Sequence, residues 1–203
     1  MTDIEASQLD LGAVGPVTAA DSVQREVHRF TNSQRPRGWS HQLGNEPILN
    51  LGYRRHWWQS HALGWLEMQH GPGVSASLGN LLVQAGGGYG LRFGRGLDAS
   101  MGWPSLSIER GGYRQVATSP GSGWNVFAAL QGRYVAHNLL LDGNTVRDSH
   151  SVDRREWVGD AVVGVALTWE RWEVSLAHVW RSKEFEEQQN STVHGALSLS
   201  YRL

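Results

Sequence analysis

The run 193-VHGALSLSYRL-203 decides how this chain is read. Its odd positions, Val193, Gly195, Leu197, Leu199, Tyr201 and Leu203, are small, apolar or aromatic, while the even ones, His194, Ala196, Ser198, Ser200 and Arg202, are small or polar. Successive side chains of a strand point to opposite faces, so this period of two is a strand with one greasy face and one polar face. The alternation recurs in 123-GWNVFAALQGRYVAHN-138, where Trp124, Val126, Ala128, Leu130 and Tyr134 oppose Asn125, Gln131, Arg133 and His137. In 157-WVGDAVVGVALTWE-170, Trp157, Val163, Val165, Leu167 and Trp169 oppose Asp160, Thr168 and Glu170. The segment 171-RWEVSLAHVW-180 repeats the pattern through Trp172, Val174, Leu176 and Trp180.

Several of these strands reach about ten residues, the length a tilted membrane strand requires. Aromatic residues cluster near their ends, at Trp57, Trp58, Trp65, Trp103, Trp124, Trp157, Trp169, Trp172, Trp180 and Tyr201, in the manner of a membrane-interface girdle. Alternation alone does not say which face meets what. A membrane barrel turns its apolar face to lipid, whereas a soluble lipocalin-like barrel turns it inward around a lipophilic ligand. Leu203 departs from the Phe or Trp with which outer-membrane strands usually end, and Tyr201 partly restores that signature.

The chain has 203 residues, the size of a single domain spanning 1–203. Its 25 Gly and 10 Trp, against 18 Lys+Arg and 19 Asp+Glu, favour β structure. A formal charge of -1 gives no polybasic footprint, so nucleic acid is not expected as a partner. With no cysteine, disulfide frameworks, thiolate metal sites and cysteine nucleophiles are excluded together. No apolar run is long enough for a membrane-spanning helix, which leaves only strands as a way across a bilayer. The opening MTDIEASQLD lacks the apolar core of a secretory signal peptide. Further strands are expected near 8–15, 47–58, 61–69 and 77–95, for about eight in all, with a turn-rich connector over 141–153 and a mobile loop over 110–123.

One segment breaks the pattern. In 22-SVQREVHRF-30, Val23, Val27 and Phe30 recur at helical spacing behind a Thr18-x-x-Asp21 start, so a helix is expected over 19–32, closed by Pro36 and Gly38. Gln24 and His28 then lie one turn apart on a shared face. Other tempting groups fail on mechanics. The 86-GGGYGLRFGRG-96 run lacks phosphate-loop spacing and reads as strand glycine. Asp148, Ser149, His150 and Asp153 supply the letters of a triad within one short loop, whereas triads assemble from separate elements. His56 and His61 have no third zinc ligand nearby, and the sequon at 190–192 matters only in a eukaryotic secretory setting.

LGAVGPVTAADSVQREVHRF, followed in order by PRGWSHQLGNEPILNLGYRRHW, SLGNLLVQAGGGYGLRFG, LDGNTVRDSHSVDRREWVGDAVVGVALTW and an EFEEQQ strand, closely resembles the lipid A 3'-O-deacylase family of Gram-negative outer membranes. The resemblance runs from about residue 9 to the C-terminus. It implies an all-β, antiparallel transmembrane barrel of twelve strands, of which about eight are present here, with a helix packed against the barrel wall. It also implies a monomeric, calcium-dependent esterase in the outer membrane, acting on lipid A or lipopolysaccharide. The family's Gln-x-x-x-His helix matches Gln24 and His28. In that chemistry the His is general base to a water that attacks an acyl ester, calcium polarises the carbonyl, and Gln24 orients the His, the metal shell or the substrate.

This sequence departs from the family pattern in two places. The family carries an Asn-Asp pair and a hydroxyl residue on strands upstream of this helix, and those are absent, as expected of a chain lacking its N-terminal strands. The resemblance thus places most of the family's metal ligands upstream of Met1. Gln34 and Arg35 stand where the family tends to place an acidic residue. No calcium ligand is therefore assigned within this chain, and a non-catalytic barrel remnant stays open as an alternative.

Overall fold

A computed structural model describes residues 2–33, 38–103, 114–117 and 121–201. Eight long strands form one antiparallel sheet: β1 (Thr2–Val14), β2 (Glu46–Leu63), β3 (Leu66–Gly79), β4 (Leu82–Arg95), β7 (Gly121–Asn138), β8 (Trp157–Glu170), β9 (Trp172–Arg181) and β10 (Thr192–Tyr201), neighbours in that order. A short hairpin, β5 (Ser100–Trp103) with β6 (Arg114–Ala117), leaves the sheet between β4 and β7, and β6 lies against β9 and β10. The helices are α1 (Ala20–Phe30) and the single turn α2 (Leu139–Asp142).

The two sheet faces are inverted relative to a water-soluble barrel. Buried polar side chains include Asn50, His56, Gln69, Arg92, Arg133, Asp160, Thr168, Glu173 and Arg181, while Leu49, Leu51, Leu130, Val165, Leu167, Leu176, Leu197 and Leu199 are exposed. Among the described residues only the short β5–β6 hairpin lies against the eight-stranded sheet, so that sheet buries most of one face by curling over itself. Consistent with this, Gln131 on β7 donates to Ser75 on β3 at 3.2 Å, reaching across β4. Gly86 and Gly88 of β4 leave the room, since a Cβ at Gly88 would lie 2.4 Å from the Leu130 carbonyl oxygen.

One group of charges inside the curl is paired as a network. Asp160 accepts from Arg181 Nε at 2.7 Å and also from Arg133, and Arg181 reaches Glu184 at 3.3 Å. The apolar part of the interior is small: Phe127, Ala129, Val162, Ala166, Ala177 and Val179 form one cluster, and Leu82, Val135 and Val158 another. A soluble barrel with an apolar interior is thereby ruled out as the fold, and the exposed face is the one suited to lipid.

The aromatic belts give a thickness. Tyr201 pairs with Trp172 and Trp172 with Trp169 at one end of the sheet, and Tyr134 pairs with Trp157 at the other. Twelve residue steps separate Trp157 from Trp169 on β8. At ~3.3 Å per residue and a tilt of ~40° these span about 30 Å, the hydrocarbon thickness of a bilayer. The outward residues between them are Gly159, Ala161, Val163, Val165 and Leu167, without a charge.

Connections sort by end. At one end β2 and β3 turn through Gly64 and Trp65, and β8 and β9 through Arg171, here called the hairpin end. The other, the loop end, carries the connections 15–45, 80–81, 139–156 and 182–191, and α1 belongs to the first of these.

Several boundaries differ from the sequence reading. β2 runs on to Leu63, and β3 absorbs both 66–69 and the start of the segment expected at 77–95. The breaker-like 71-GPG-73 sits within β3, where Trp57 and Trp58 interrupt the β2 ladder opposite Gly71 and Pro72 while the register is kept on both sides. Proline has no N–H to give the ladder, and the strands close up around it: a Cβ on Gly71 would lie 1.7 Å from the Trp57 carbonyl oxygen. β1 starts at Thr2 rather than near 8, its outward Asp3, Glu5 and Ser7 hiding the strand pattern. EFEEQQ is a turn with one isolated bridge, Arg154 to Phe185, and not a strand. Trp58 points inward, 1% exposed, and so leaves the girdle. Of the loop expected over 110–123, residues 110–113 and 118–120 lie outside the described residues, 114–117 form β6 and β7 begins at Gly121. Met1, Pro36, Arg202 and Leu203 also lie outside the described residues.

Candidate active site at the loop end

The chain leaves β1 through Gly15, at φ 96, where a Cβ would come within 2.6 Å of the Asn45 nitrogen. The two stems of the 15–45 connection therefore touch, and Val17 N–H donates to Asn45 Oδ1 at 2.7 Å across them. A 3-10 turn over Pro16–Thr18 follows, and Ala19, at φ 51, starts the helix. The expected capping box does not form, because the Thr18 hydroxyl turns back to the Gly15 carbonyl at 2.8 Å. α1 is accordingly shorter at both ends than 19–32. Asp21 pairs with Arg25 at 2.8 Å, placing a carboxylate in the first turn where the helix dipole favours it.

Gln24 and His28 do fall on one face of α1. Both are half-buried, together with Asp21, and the rest of the helix is exposed. Val23, Val27 and Phe30, the last 93% exposed, form an uncovered apolar face. The helix is thus amphipathic with its polar edge turned in and its apolar edge turned out. Among the described residues its contacts with the strands are sparse, unlike the close packing on a barrel wall that the resemblance implied.

What holds this end together is Glu46, a residue the sequence reading passed over. Its carboxylate accepts from Asn144 Nδ2 and from the Thr145 N–H, both at 2.9 Å, and from Asn80 Nδ2 at 3.1 Å. Three loops are joined at one buried carboxylate. Hydrogen bonds from Thr145 and Asn144, opposed by burial and reinforced by Asn80, hold its pKa down to about 2. Glu46 stands at the mouth, before the apolar outward band that begins at Leu49. Asn144 also exchanges hydrogen bonds with both backbone groups of Gly44, at 2.8 and 3.1 Å. Only a turn-forming Asp-Gly-Asn run and a carboxylate directly before Pro47 hinted at this in the sequence.

Beside this knot lies a cleft of about 450 Å³ between His41 and the 144–150 loop. The rings of His41 and His150 meet edge to face at 5.2 Å, and the Arg147 guanidinium lies over Gly44, where a Cβ would fall 2.1 Å from its Cζ. Ser149 accepts from the Asn144 N–H at 2.7 Å, so its hydroxyl oxygen braces the loop. His56 and His61 do not meet: His56 is buried beside Trp58, with ring centroids 4.0 Å apart, and His61 is exposed on the opposite face. Among the described residues, no group of three or more His, Cys, Asp or Glu is placed to hold a metal ion.

Calcium takes six to eight oxygen ligands. The inward edge of α1 offers the Gln24 amide oxygen and the Asp21 carboxylate, and the latter is already engaged by Arg25. The described residues of this chain do not by themselves fit the ion. Met1, beyond which the resemblance places most of the family's ligands, lies outside the described residues.

No curated protein matches the chain significantly. Among solved structures the chain is similar to LpxR from Salmonella typhimurium, with a TM-score of 0.83 at 22% identity, over 99% of this chain and 68% of that one. At that identity the likeness establishes a shared fold, the antiparallel outer-membrane barrel. The model of the family described as outer membrane protein LpxR matches residues 1–203, and the chain belongs to that family.

Proposed function

We propose that this chain carries the general-base half of an outer-membrane esterase that hydrolyses an ester-linked acyl chain, the 3'-acyloxyacyl group, from lipid A. The observation that carries the reading is the Gln24–His28 pair, half-buried one turn apart on a helix whose apolar face is uncovered at the membrane's edge. A substrate whose scissile ester sits between sugar and acyl chain suits that boundary. Val23, Val27 and Phe30 lie against acyl chains, while His28 faces the polar side. Family membership and the lipid-facing outer wall support the same reading.

His28 removes a proton from water as its oxygen attacks the acyl carbonyl. The ester C–O bond then breaks, and the proton passes from His28 to the departing sugar oxygen. Gln24 orients the imidazole or the ester through its amide. Calcium, expected from the family, would polarise the carbonyl; the steps assigned to this chain run through His28 and Gln24 alone. The enzyme acts as a monomer on lipopolysaccharide.

The test is a chimera joining this chain to the portion of the Salmonella LpxR that it does not match, assayed on lipid A in heavy-oxygen water. Label in the released fatty acid and none in the sugar hydroxyl supports water attack at the acyl carbon. Label in the sugar hydroxyl, or no fatty acid from a folded chimera, contradicts it.

A further inference from the structure

We infer that His61 and His70 form a second, unassigned metal site, a two-imidazole chelate for a borderline divalent cation such as Zn²⁺, on the outer wall at the hairpin end. His61 lies two residues before the end of β2, and His70 lies on β3. Both point outward, and their Nε2 atoms are 3.1 Å apart. The outward residues of β2 turn mostly polar from Arg55 onward, through Gln59 and His61, and Arg55 pairs with the outward Asp3 of β1, so this part of the wall is hydrophilic. A cation reaches it from water.

The spacing fits a metal. With Zn–N bonds of ~2.05 Å, two nitrogens 3.1 Å apart subtend about 98° at the ion, between square-planar and tetrahedral angles. In the metal-free chain the rings are parallel to within 2°, with centroids 5.1 Å apart, so the nitrogens meet nearly head-on in an N–H···N hydrogen bond. Capture of the ion turns each ring by roughly 40°, a motion that the broad second torsion of histidine permits.

Tyr89 makes the exchange possible. Its hydroxyl is hydrogen-bonded to His70 Nδ1. In the metal-free chain the hydroxyl can donate to Nδ1 while His70 Nε2–H donates to His61. With a metal on Nε2, the His70 proton moves to Nδ1 and the same hydroxyl accepts it. An outer hydrogen bond of this kind fixes the tautomer of a metal-bound histidine. Water completes the coordination, and imidazole favours zinc, copper or nickel over the oxygen-seeking calcium. The site is independent of the chemistry at α1, which lies at the other end of the sheet.

The experiment titrates ZnCl2 into the full chain, refolded in detergent, by calorimetry, with CaCl2 as the comparison ion. One zinc per chain is expected, without competition from calcium. Affinity falls at least ~10-fold in His61→Ala and in His70→Ala, and about 10-fold in Tyr89→Phe. Heat-modifiable gel migration confirms that each variant is folded. No zinc uptake at millimolar ZnCl2, or one-to-one uptake unchanged in a folded His61→Ala/His70→Ala variant, overturns the site.

Discussion

Replacing Val163 by Arg puts a charge at the centre of the outer wall. Val163 lies six residues from Trp157 and six from Trp169 on β8, midway between the two aromatic belts, with its side chain outward and 45% exposed. In a bilayer, Arg at that depth costs roughly 2–4 kcal/mol, against about 0–1 kcal/mol near an interface. Gly159→Arg supplies the comparison on the same face. It lies about 10 Å nearer the membrane surface at ~3.3 Å per residue and a tilt of ~40°. The nearest atom to a Cβ there is the Gln131 carbonyl oxygen at 3.9 Å, so the substitution meets no clash. Urea unfolding of both variants in phospholipid vesicles, followed by tryptophan fluorescence, should give a midpoint loss for Val163→Arg that exceeds the loss for Gly159→Arg. Were this face in water, an exposed substitution would stay within ~0.5 kcal/mol of the parent. A Val163→Arg protein as stable as the parent, or no worse than Gly159→Arg, refutes the lipid-facing assignment.

Asp160→Ala should cost about 3–5 kcal/mol in the same assay, because Arg133 and Arg181 lose their shared buried carboxylate. Gly71→Ala should destabilise by at least ~1–3 kcal/mol, since the new methyl meets the Trp57 backbone and the strands must separate. Glu46, held down to about 2, contributes stability fully present above the ordinary carboxyl range and lost as pH falls toward its folded value. Melting curves in acid should therefore flatten with pH in Glu46→Gln, and a parent-like slope would contradict the assignment. Millimolar calcium should leave the melting temperature of the 203-residue chain unchanged; a saturable rise would mean that this chain holds a complete calcium shell after all.

The barrel strands were legible where one face is almost wholly apolar, His178 on β9 being an exception. β8, β9 and β10 have the expected alternation because lipid constrains every second residue. Boundaries failed where another constraint overrode the pattern. Pro72 and its flanking glycines look like a turn, yet they mark a close approach of two strands within β3. Trp58 looks like a girdle residue, but its even position turns it inside, under Arg92 and beside His56. The shared face of Gln24 and His28 was readable from helical spacing, whereas the capping of α1 was not, since Thr18 prefers a local bond to Gly15. Glu46 was invisible for a different reason. Its partners, Asn80, Asn144 and Thr145, come from loops 34 to 99 residues away, and no local pattern encodes such a meeting.

The central claim is that His28 is the base for ester hydrolysis, and mass spectrometry of lipid A exposed to the chimera tests it most directly. The parent chimera should remove one acyloxyacyl group. His28→Ala, with heat-modifiable migration intact, should lose activity by ~100-fold or more, as general-base catalysis requires, while Gln24→Ala retains part of it. Full deacylation by the folded His28→Ala chimera would contradict the account.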